Sequence, residues 1–406
     1  MSYNTPRLRF PGFEEEWEEK KMIDVFERLT EKNDEDNKNV LTISAQYGLI
    51  SQLDFFKKSV SATDVTGYYL LRKGDFAYNK SSSQGRPFGA IKPLKMYDKG
   101  VVSTLYICFR SKDPNAIGFW EQYFDAGIFD KKIMAIAQEG ARNHGLLNVP
   151  TNDFFGLSIF VPKPNEQKKI AECLAEMDKL ISLQSQKVDA LIEKKKGLMQ
   201  QLFPQSGETT PRLRFSGFTG EWEYMDGDKL FESISNKNHN SDLPILALTQ
   251  DQGTVPRDLI NYNVIVSDKS VAGYKVVEVD DFIISLRSFQ GGIEYSRYRG
   301  LCSPAYIVLR KKSKKLCSDF YRIYFKSFNY IQELNKNLEG IRDGKMISYQ
   351  QFSEIKLPKP LLDEQQKIAE CLSALDETIA AESDKLEALK DHKKGLLQQL
   401  FPQPAK

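Results

Sequence analysis

The chain has 406 residues, with 57 Lys and Arg against 55 Asp and Glu and a formal net charge of +2. That is room for two or three domains with real cores, in an ordinary globular composition of 41% hydrophobic and 28% charged residues. No apolar run approaches the roughly 18–20 residues of a membrane span, and "MSYNTPRLRF" lacks a signal-peptide core, so the chain reads as cytoplasmic.

The first recognisable element is an opener, "TPRLRFPGFEEEW" (Thr5 to Trp17). Its arginines suggest a basic patch, but the apolar phase of Leu8, Phe10, Phe13 and Trp17 suits a strand docking on its domain edge better. A region rich in β-branched and aromatic residues follows, giving a first domain over residues 1–164. Strands are expected at "VLTIS" (Val40 to Ser44) and "STLYICFR" (Ser103 to Arg110), and helix around 117–138. Before the second strand, "KGDFAYNKSSSQGRPFG" (Lys73 to Gly89) reads as a strand running into a polar, Gly-containing loop; "EGAR" (Glu139 to Arg142) comes late in the region.

Residues 165–204 then read as one long helix. Ile170, Leu174, Met177, Ile181, Val188, Leu191, Leu198 and Leu202 follow steps of three and four, the a/d seam of a coiled coil. Gln184 and Lys195 interrupt the seam as polar register-setters, Asn165 is the expected N-cap and Pro204 the stop.

The pattern then restarts. "TPRLRFSGFTGEW" (Thr210 to Trp222) repeats the opener, and residues 205–362 form a second mixed domain. It has expected strands at "PILALT" (Pro244 to Thr249) and "PAYIVLR" (Pro304 to Arg310) and helix around 318–338. "QGTVPR" matches the earlier "YGLISQ", placing Gly253 opposite Gly48; "VDDFIISLRSFQGGIEYS" (Val279 to Ser296) matches the strand and loop, placing Gln290 and Gly291 opposite Gln84 and Gly85; "EGIR" matches "EGAR". The last segment, 363–406, is the helix again: 24 of 41 positions are identical between 165–205 and 363–403. Its seam is Ile368, Leu372, Leu375, Ile379, Leu386, Leu389, Leu396 and Leu400, with Glu382 and Lys393 as interruptions, Asp363 as N-cap and Pro402 as stop.

Each helix would run about 55 Å at about 1.5 Å per residue. So narrow a stripe needs a partner seam, and its own copy is the obvious one. The expected fold is mixed α/β (α+β): two globular domains alternating with two long helices that pair as an antiparallel coiled coil with pseudo-twofold symmetry.

The two matched loops carry the candidate binding chemistry. Backbone N–H groups, a Gln amide and cations on a Gly-containing loop can meet phosphates and base edges. The candidates are Lys80, Ser82, Gln84, Arg86 and Arg142 in the first domain, and Arg287, Ser288, Gln290, Arg297 and Arg342 in the second. Against this stands a solvated loop whose glycines serve only turn geometry. Outside the two helices 45 basic and 40 acidic residues remain, a weak basic bias well short of the strong basic footprint of an autonomous DNA binder.

Catalytic residue sets are not found. There is no G-x-x-x-x-G-K-[ST] loop, no G-x-G-x-x-G after a strand and no Asn/Asp-Pro-Pro-Tyr/Phe clamp. "IRDGKM" (Ile341 to Met346) lacks the flanking carboxylates of a nuclease site, and three scattered histidines make a Ser/His/Asp grouping implausible. The five cysteines, Cys108, Cys173, Cys302, Cys317 and Cys371, are widely spaced, so neither zinc nor a disulfide framework is expected.

"PNEQKKIAECL" with "LDEQQKIAECL", "KKGLMQQLFP" with "KKGLLQQLFP", and the paired openers, arranged in this order over the whole chain, resemble the specificity subunit of type I restriction–modification enzymes. The resemblance implies a non-catalytic subunit whose two variable domains each recognise one half of a split double-stranded DNA target. It implies paired helices that space the half-sites and dock two modification methyltransferase subunits, with restriction/motor subunits joining the full complex. It places S-adenosylmethionine in the modification subunits and ATP with Mg in the restriction subunits, and no cofactor or metal in this chain. The rival reading is a coiled-coil scaffold whose domains bind proteins instead of DNA; salt-sensitive DNA binding separates the two.

Overall fold

The computed structural model describes residues 4–44, 48–56, 64–81, 86–137, 147–250, 252–260, 271–286, 288–336 and 347–402. The chain forms two compact units, Met1–Ser185 with Asp384–Lys406, and Gln186–Ser383. The division falls inside both long helices, so each unit holds one globular domain and half of each helix.

In the first unit the strands are β1 (Glu18–Lys21), β2 (Phe26–Leu29), β3 (Leu41–Ser44), β4 (Gly48–Ser51), β5 (Tyr69–Arg72), β6 (Phe76–Asn79), β7 (Ala90–Pro93), β8 (Lys99–Val102), β9 (Ile107–Ser111) and β10 (Ser158–Val161). They form a sheet of order β2-β9-β6-β7 and the pairs β1-β10, β3-β4 and β5-β8. The second unit has β11 (Glu223–Asp226), β12 (Phe231–Ile234), β13 (Leu246–Thr249), β14 (Gly253–Pro256), β15 (Lys275–Val277), β16 (Phe282–Ile284), β17 (Glu294–Tyr295), β18 (Gly300–Cys302), β19 (Ile307–Lys311) and β20 (Lys356–Lys359). Their orders are β12-β19-β16-β17, β11-β20, β13-β14 and β15-β18, the same topology strand for strand. Register repeats too: Phe76 faces Phe109 as Phe282 faces Leu309.

Aromatic side chains fill both cores. Phe26, Phe76, Phe109 and Phe124 meet at ring distances of 5.0–6.2 Å, mostly edge to face. Phe231, Phe282 and Phe325 form the corresponding set. Helices Ile117–Asp125, Asp130–Ile136 and Thr151–Gly156 pack on the first core. Ser318–Tyr324, Phe328–Lys336 and Tyr349–Ser353 pack on the second.

The long helices are Pro164–Leu202 and Leu362–Leu400, 39 residues each. All sixteen seam residues are buried or half-buried. The helices run antiparallel: in the second unit Lys187 and Lys195 pair with Glu382 and Asp376, and in the first Lys393 pairs with Asp178 at 2.6 Å. Lys195 with Asp376 and Lys393 with Asp178 are one contact written twice, so each lysine that interrupts a seam fixes register through an ion pair. The repeated Leu-Phe-Pro endings are plugs. Phe401 stands edge-on to Trp17 at 6.2 Å in the first core, and Phe203 meets Phe320 at 5.6 Å in the second. Burying each ring stabilises by roughly 1.5–3 kcal/mol.

Two expectations are corrected. The helices begin at Pro164 and Leu362, so Asn165 and Asp363 lie within the first turn and are not caps. Pro164 suits the first helical position, where no N–H is needed and its φ is preset, and Lys163 O accepts from the N–H groups of Glu166 and Gln167. The openers are not edge strands. Residues 5–16 are turns and bends, broken by Pro11 and by Gly12 at φ +89°, and they dock on the helices. Leu8 N–H donates to Gln399 O and Leu213 N–H to Gln201 O, both at 3.0 Å.

Candidate DNA interface

In each domain one hairpin of the four-stranded sheet carries the candidate loop. β6 and β7 pair through Ala77 and Lys92, β16 and β17 through Ile283 and Glu294. These matched pairs enclose 14 residues (78–91) in the first domain and 10 (284–293) in the second. The first loop is thus four residues longer, and a single sequence offset cannot hold across both arms.

Each hairpin stands on the same foot. Asp75, 1% exposed, accepts from the Arg72 N–H at 2.7 Å and from Arg110 Nε and Nη2 at 2.6 and 2.9 Å. Asp281, also 1% exposed, accepts from the Glu278 N–H at 2.8 Å and from Arg310 Nε and Nη2 at 2.7 Å. Hydrogen bonds to these carboxylates push both guanidiniums above the ordinary arginine value. Arg110 and Arg310 are therefore committed to holding the turn before the strand. The matched "KGDF" and "VDDF", with "YICFR" and "YIVLR", carried this signal in the sequence.

The structure treats the ten candidates unequally. Lys80 directly follows β6; it is half-buried, and desolvation lowers its pKa from the lysine value. Its carbonyl accepts the Leu147 N–H at 3.0 Å, which brings the end of β6 beside the start of the segment leading to Thr151–Gly156. Arg86 reaches Asp125 through Nη2 at 3.1 Å, so it is not a free cation. Ser288 is 1% exposed and its Oγ accepts the Ser285 N–H at 2.9 Å; it shapes the turn and cannot face a ligand. Gln290 is exposed on the short helix Ser288–Gly291. Arg297 is exposed but lies past β17, next to Ser296, whose N–H bonds Asp281 O at the opposite end of the hairpin from Gln290. The structure does not bring Arg297 together with the loop. Ser82, Gln84, Arg142, Arg287 and Arg342 lie outside the described residues.

Sequence reasoning missed two ion pairs at the hairpin arms. Lys92 Nζ meets both Asp125 oxygens at 2.8 and 2.7 Å, and Lys326 Nζ meets Glu294 Oε1 at 2.6 Å. The partners lie 33 and 32 residues apart, and no periodic pattern links them.

Among the described residues no three His, Cys, Asp or Glu side chains form a metal-holding group, and no helix is long and apolar enough to cross a membrane.

The family model for the type I restriction modification DNA specificity domain matches residues 14–194 and again 221–391. The chain belongs to that family. It is a type I restriction–modification specificity subunit with two target recognition domains, one per match. It is similar to the "Putative type I restriction enzyme MjaX specificity subunit" of Methanocaldococcus jannaschii, 24% identical over 410 residues, covering 95% of this chain and 93% of that one. It is also similar to the type I restriction enzyme MjaVIII specificity subunit of the same organism, 24% identical over 276 residues, covering 63% and 64%. Its fold is that of the type I restriction–modification S subunit from M. genitalium, with TM-score 0.57, 15% identity and coverage of 99% and 100%. A chain solved to explain complex assembly and conformational transition of a type I R-M system gives TM-score 0.56 at 16% identity, covering 97% and 99%.

Proposed function

We propose that each target recognition domain of this specificity subunit reads one half of a bipartite double-stranded DNA target. On this reading the paired helices fix the gap between half-sites and dock two modification methyltransferase subunits. The chain itself is non-catalytic and binds no cofactor. S-adenosylmethionine chemistry belongs to the modification subunits, and ATP with Mg to the restriction subunits of the full complex, which acts in the cytoplasm.

The observation that carries this is the pairing of sameness and difference in the two domains. They share a strand topology and each matches the DNA specificity family. Their hairpin loops nevertheless differ in length by four residues and in chemistry, with half-buried Lys80 directly after β6 in one and exposed Leu286 at the matched position after β16 in the other. Two readers held by one spacer should see half-sites about one helical turn, roughly 10 bp, apart or a multiple of it.

The test is a genome-wide map of N6-methyladenine in cells expressing this chain with its modification subunits. A single split motif with a constant gap, lost when the chain is deleted, is the expected result. A soluble complex with active modification subunits and no motif would sink the proposal.

A further inference from the structure

The two ion pairs at the hairpin arms occupy one position with opposite polarity. Lys92 and Glu294 are equivalent because they face Ala77 and Ile283, the matched residues of β6 and β16. Asp125 and Lys326 are equivalent because each follows the phenylalanine, Phe124 or Phe325, that packs on the matched pair Phe26 and Phe76 or Phe231 and Phe282. The cation is thus on the hairpin arm in the first domain and on the partner segment in the second. Both pairs are sheltered: side-chain exposures are 9% and 14% for Lys92 and Asp125, and 27% and 5% for Lys326 and Glu294. In the first domain Asp125 also takes Arg86, from the longer loop. In the second, Lys326 also reaches Gln250 O at 3.3 Å.

We propose that Lys92–Asp125 and Glu294–Lys326 are positioning residues that lock each reading hairpin to the body of its own domain, with a polarity that makes each hairpin compatible only with its own partner. The chemistry forces the second half of this statement. An arm carrying Glu at the Lys92 position would face Asp125, and an arm carrying Lys at the Glu294 position would face Lys326. A like-charged pair in a sheltered site drives the two elements apart, because little water is present to screen it. The hairpin arm is two residues long in β17, so the ladder alone constrains it weakly and the ion pair sets where the loop points. The first domain adds a third tie through Arg86, in keeping with its longer loop. This inference rests on the proposed half-site reading, since it assigns each pair to one half-site.

The second domain gives the cleaner experiment, because the first domain already shows that the reversed polarity fits. Glu294→Lys and Lys326→Glu each create a like-charged pair; the double variant E294K/K326E reverses the polarity. Each is expressed as the full chain with its modification subunits. Methylated sites are mapped and the thermal midpoint of the complex is measured. Each single variant should lose about tenfold or more discrimination at one half-site, while the other half-site stays unchanged as an internal control of folding. The double variant should restore discrimination to within about threefold, as expected for directly coupled residues. Single variants that keep both half-sites intact overturn the inference, and so do single variants that melt lower but read both half-sites normally. A double variant with wild-type melting that remains degenerate at one half-site also overturns it. If the unmodified chain gives no split motif, the half-site reading falls and this inference falls with it.

Discussion

Arg214→Ala separates a structural opener from a DNA-binding one. Arg214 grips Glu364 through Nε and Nη2 at 2.7 and 2.9 Å, and also donates to Gly220 O. Glu364 has a side chain only 1% exposed, while Arg214 is 17% exposed. Removing the arginine leaves a buried carboxylate without its guanidinium partner, and breaking such a pair costs about 3–5 kcal/mol. Water entering through the vacated, partly open arginine site lowers that to about 3 kcal/mol, still in the range of two charge-assisted hydrogen bonds. For a unit of this size that is a fall of roughly 6–12 °C in the thermal midpoint. Arg9→Ala should do the same in the first unit, where Arg9 holds Glu166 at 2.8 and 2.7 Å. The assay is scanning calorimetry, alongside the salt dependence of DNA binding by the complex with modification subunits. If Arg214→Ala melts like the unmodified chain while the salt slope falls by about one, as loss of a phosphate contact requires, the opener binds DNA and the structural argument is wrong.

Other outcomes follow from single contacts. Gly48 and Gly253 both have positive φ, +75° and +74°, but a Cβ on Gly253 would stand 2.5 Å from Tyr295 O, whereas on Gly48 the nearest atom is Pro93 O at 4.0 Å. Gly48→Ala should therefore cost only the left-handed strain of about 1–2 kcal/mol, and Gly253→Ala clearly more; equal losses in urea unfolding would contradict the close approach. Burial pushes the Cys108 and Cys302 thiols up to about 12. Thiolate is then scarce below that pH, so iodoacetamide at pH 8 should label both only after unfolding, as read by mass spectrometry. Lys195→Ala and Lys393→Ala each remove a half-exposed ion pair and should cost about 0.5–1 kcal/mol apiece; a loss several times larger in either would mean the seam depends on it. Deleting one heptad from both helices should change the methylated gap, and an unchanged gap would refute the spacer role.

The helices were legible because their stripes of Leu, Ile and Val have a period, and period survives without knowing the partner. The strands at Leu41–Ser44, Leu246–Thr249 and Ile307–Lys311 were legible from β-branched runs. "STLYICFR" and "PAYIVLR" were half right in the same way: Ser103 to Tyr106 and Pro304 to Tyr306 form a turn, and the strands start at Ile107 and Ile307. The opener was misread because Leu8 and Phe10 alternate like a strand, while Pro11 and Gly12 break the ladder and Arg9 has a buried partner 157 residues away. Glu166 and Glu364 could have been found: an identical Glu-Gln dipeptide at both helix starts is a polar pair kept in place, and both residues are buried in each copy. The site was least legible. Ser288 looked like a loop donor and is a buried turn-former, Arg86 looked free and is held by Asp125, and Arg297 sits at the wrong end of its hairpin.

What recurs and what varies in the two halves divides along functional lines. The Arg–Glu opener clamp, the Lys–Asp seam pair, the Leu-Phe plug (Phe401 on Phe119 and Phe203 on Phe320, both at 5.6 Å) and the Asp–Arg foot appear in both, with geometry matching to within a few tenths of an ångström. The clamp and the plug hold a domain to the helices, the foot sets the base of its hairpin and the seam pair holds helix to helix, and on the proposed function any pair of readers needs all four equally. Divergence gathers above that base, in loop length, in the chemistry of the loop and in the polarity of the ion pair on its arm. A protein evolving only to bind two copies of one partner would gain from keeping that upper surface alike. A chain that reads two unlike half-sites has the opposite requirement, a constant mount and unlike tips. On the proposed function the net charge of +2 fits the same division of labour: such tips need discrimination more than phosphate affinity, and long-range attraction to DNA would come from the subunits proposed to dock on the helices.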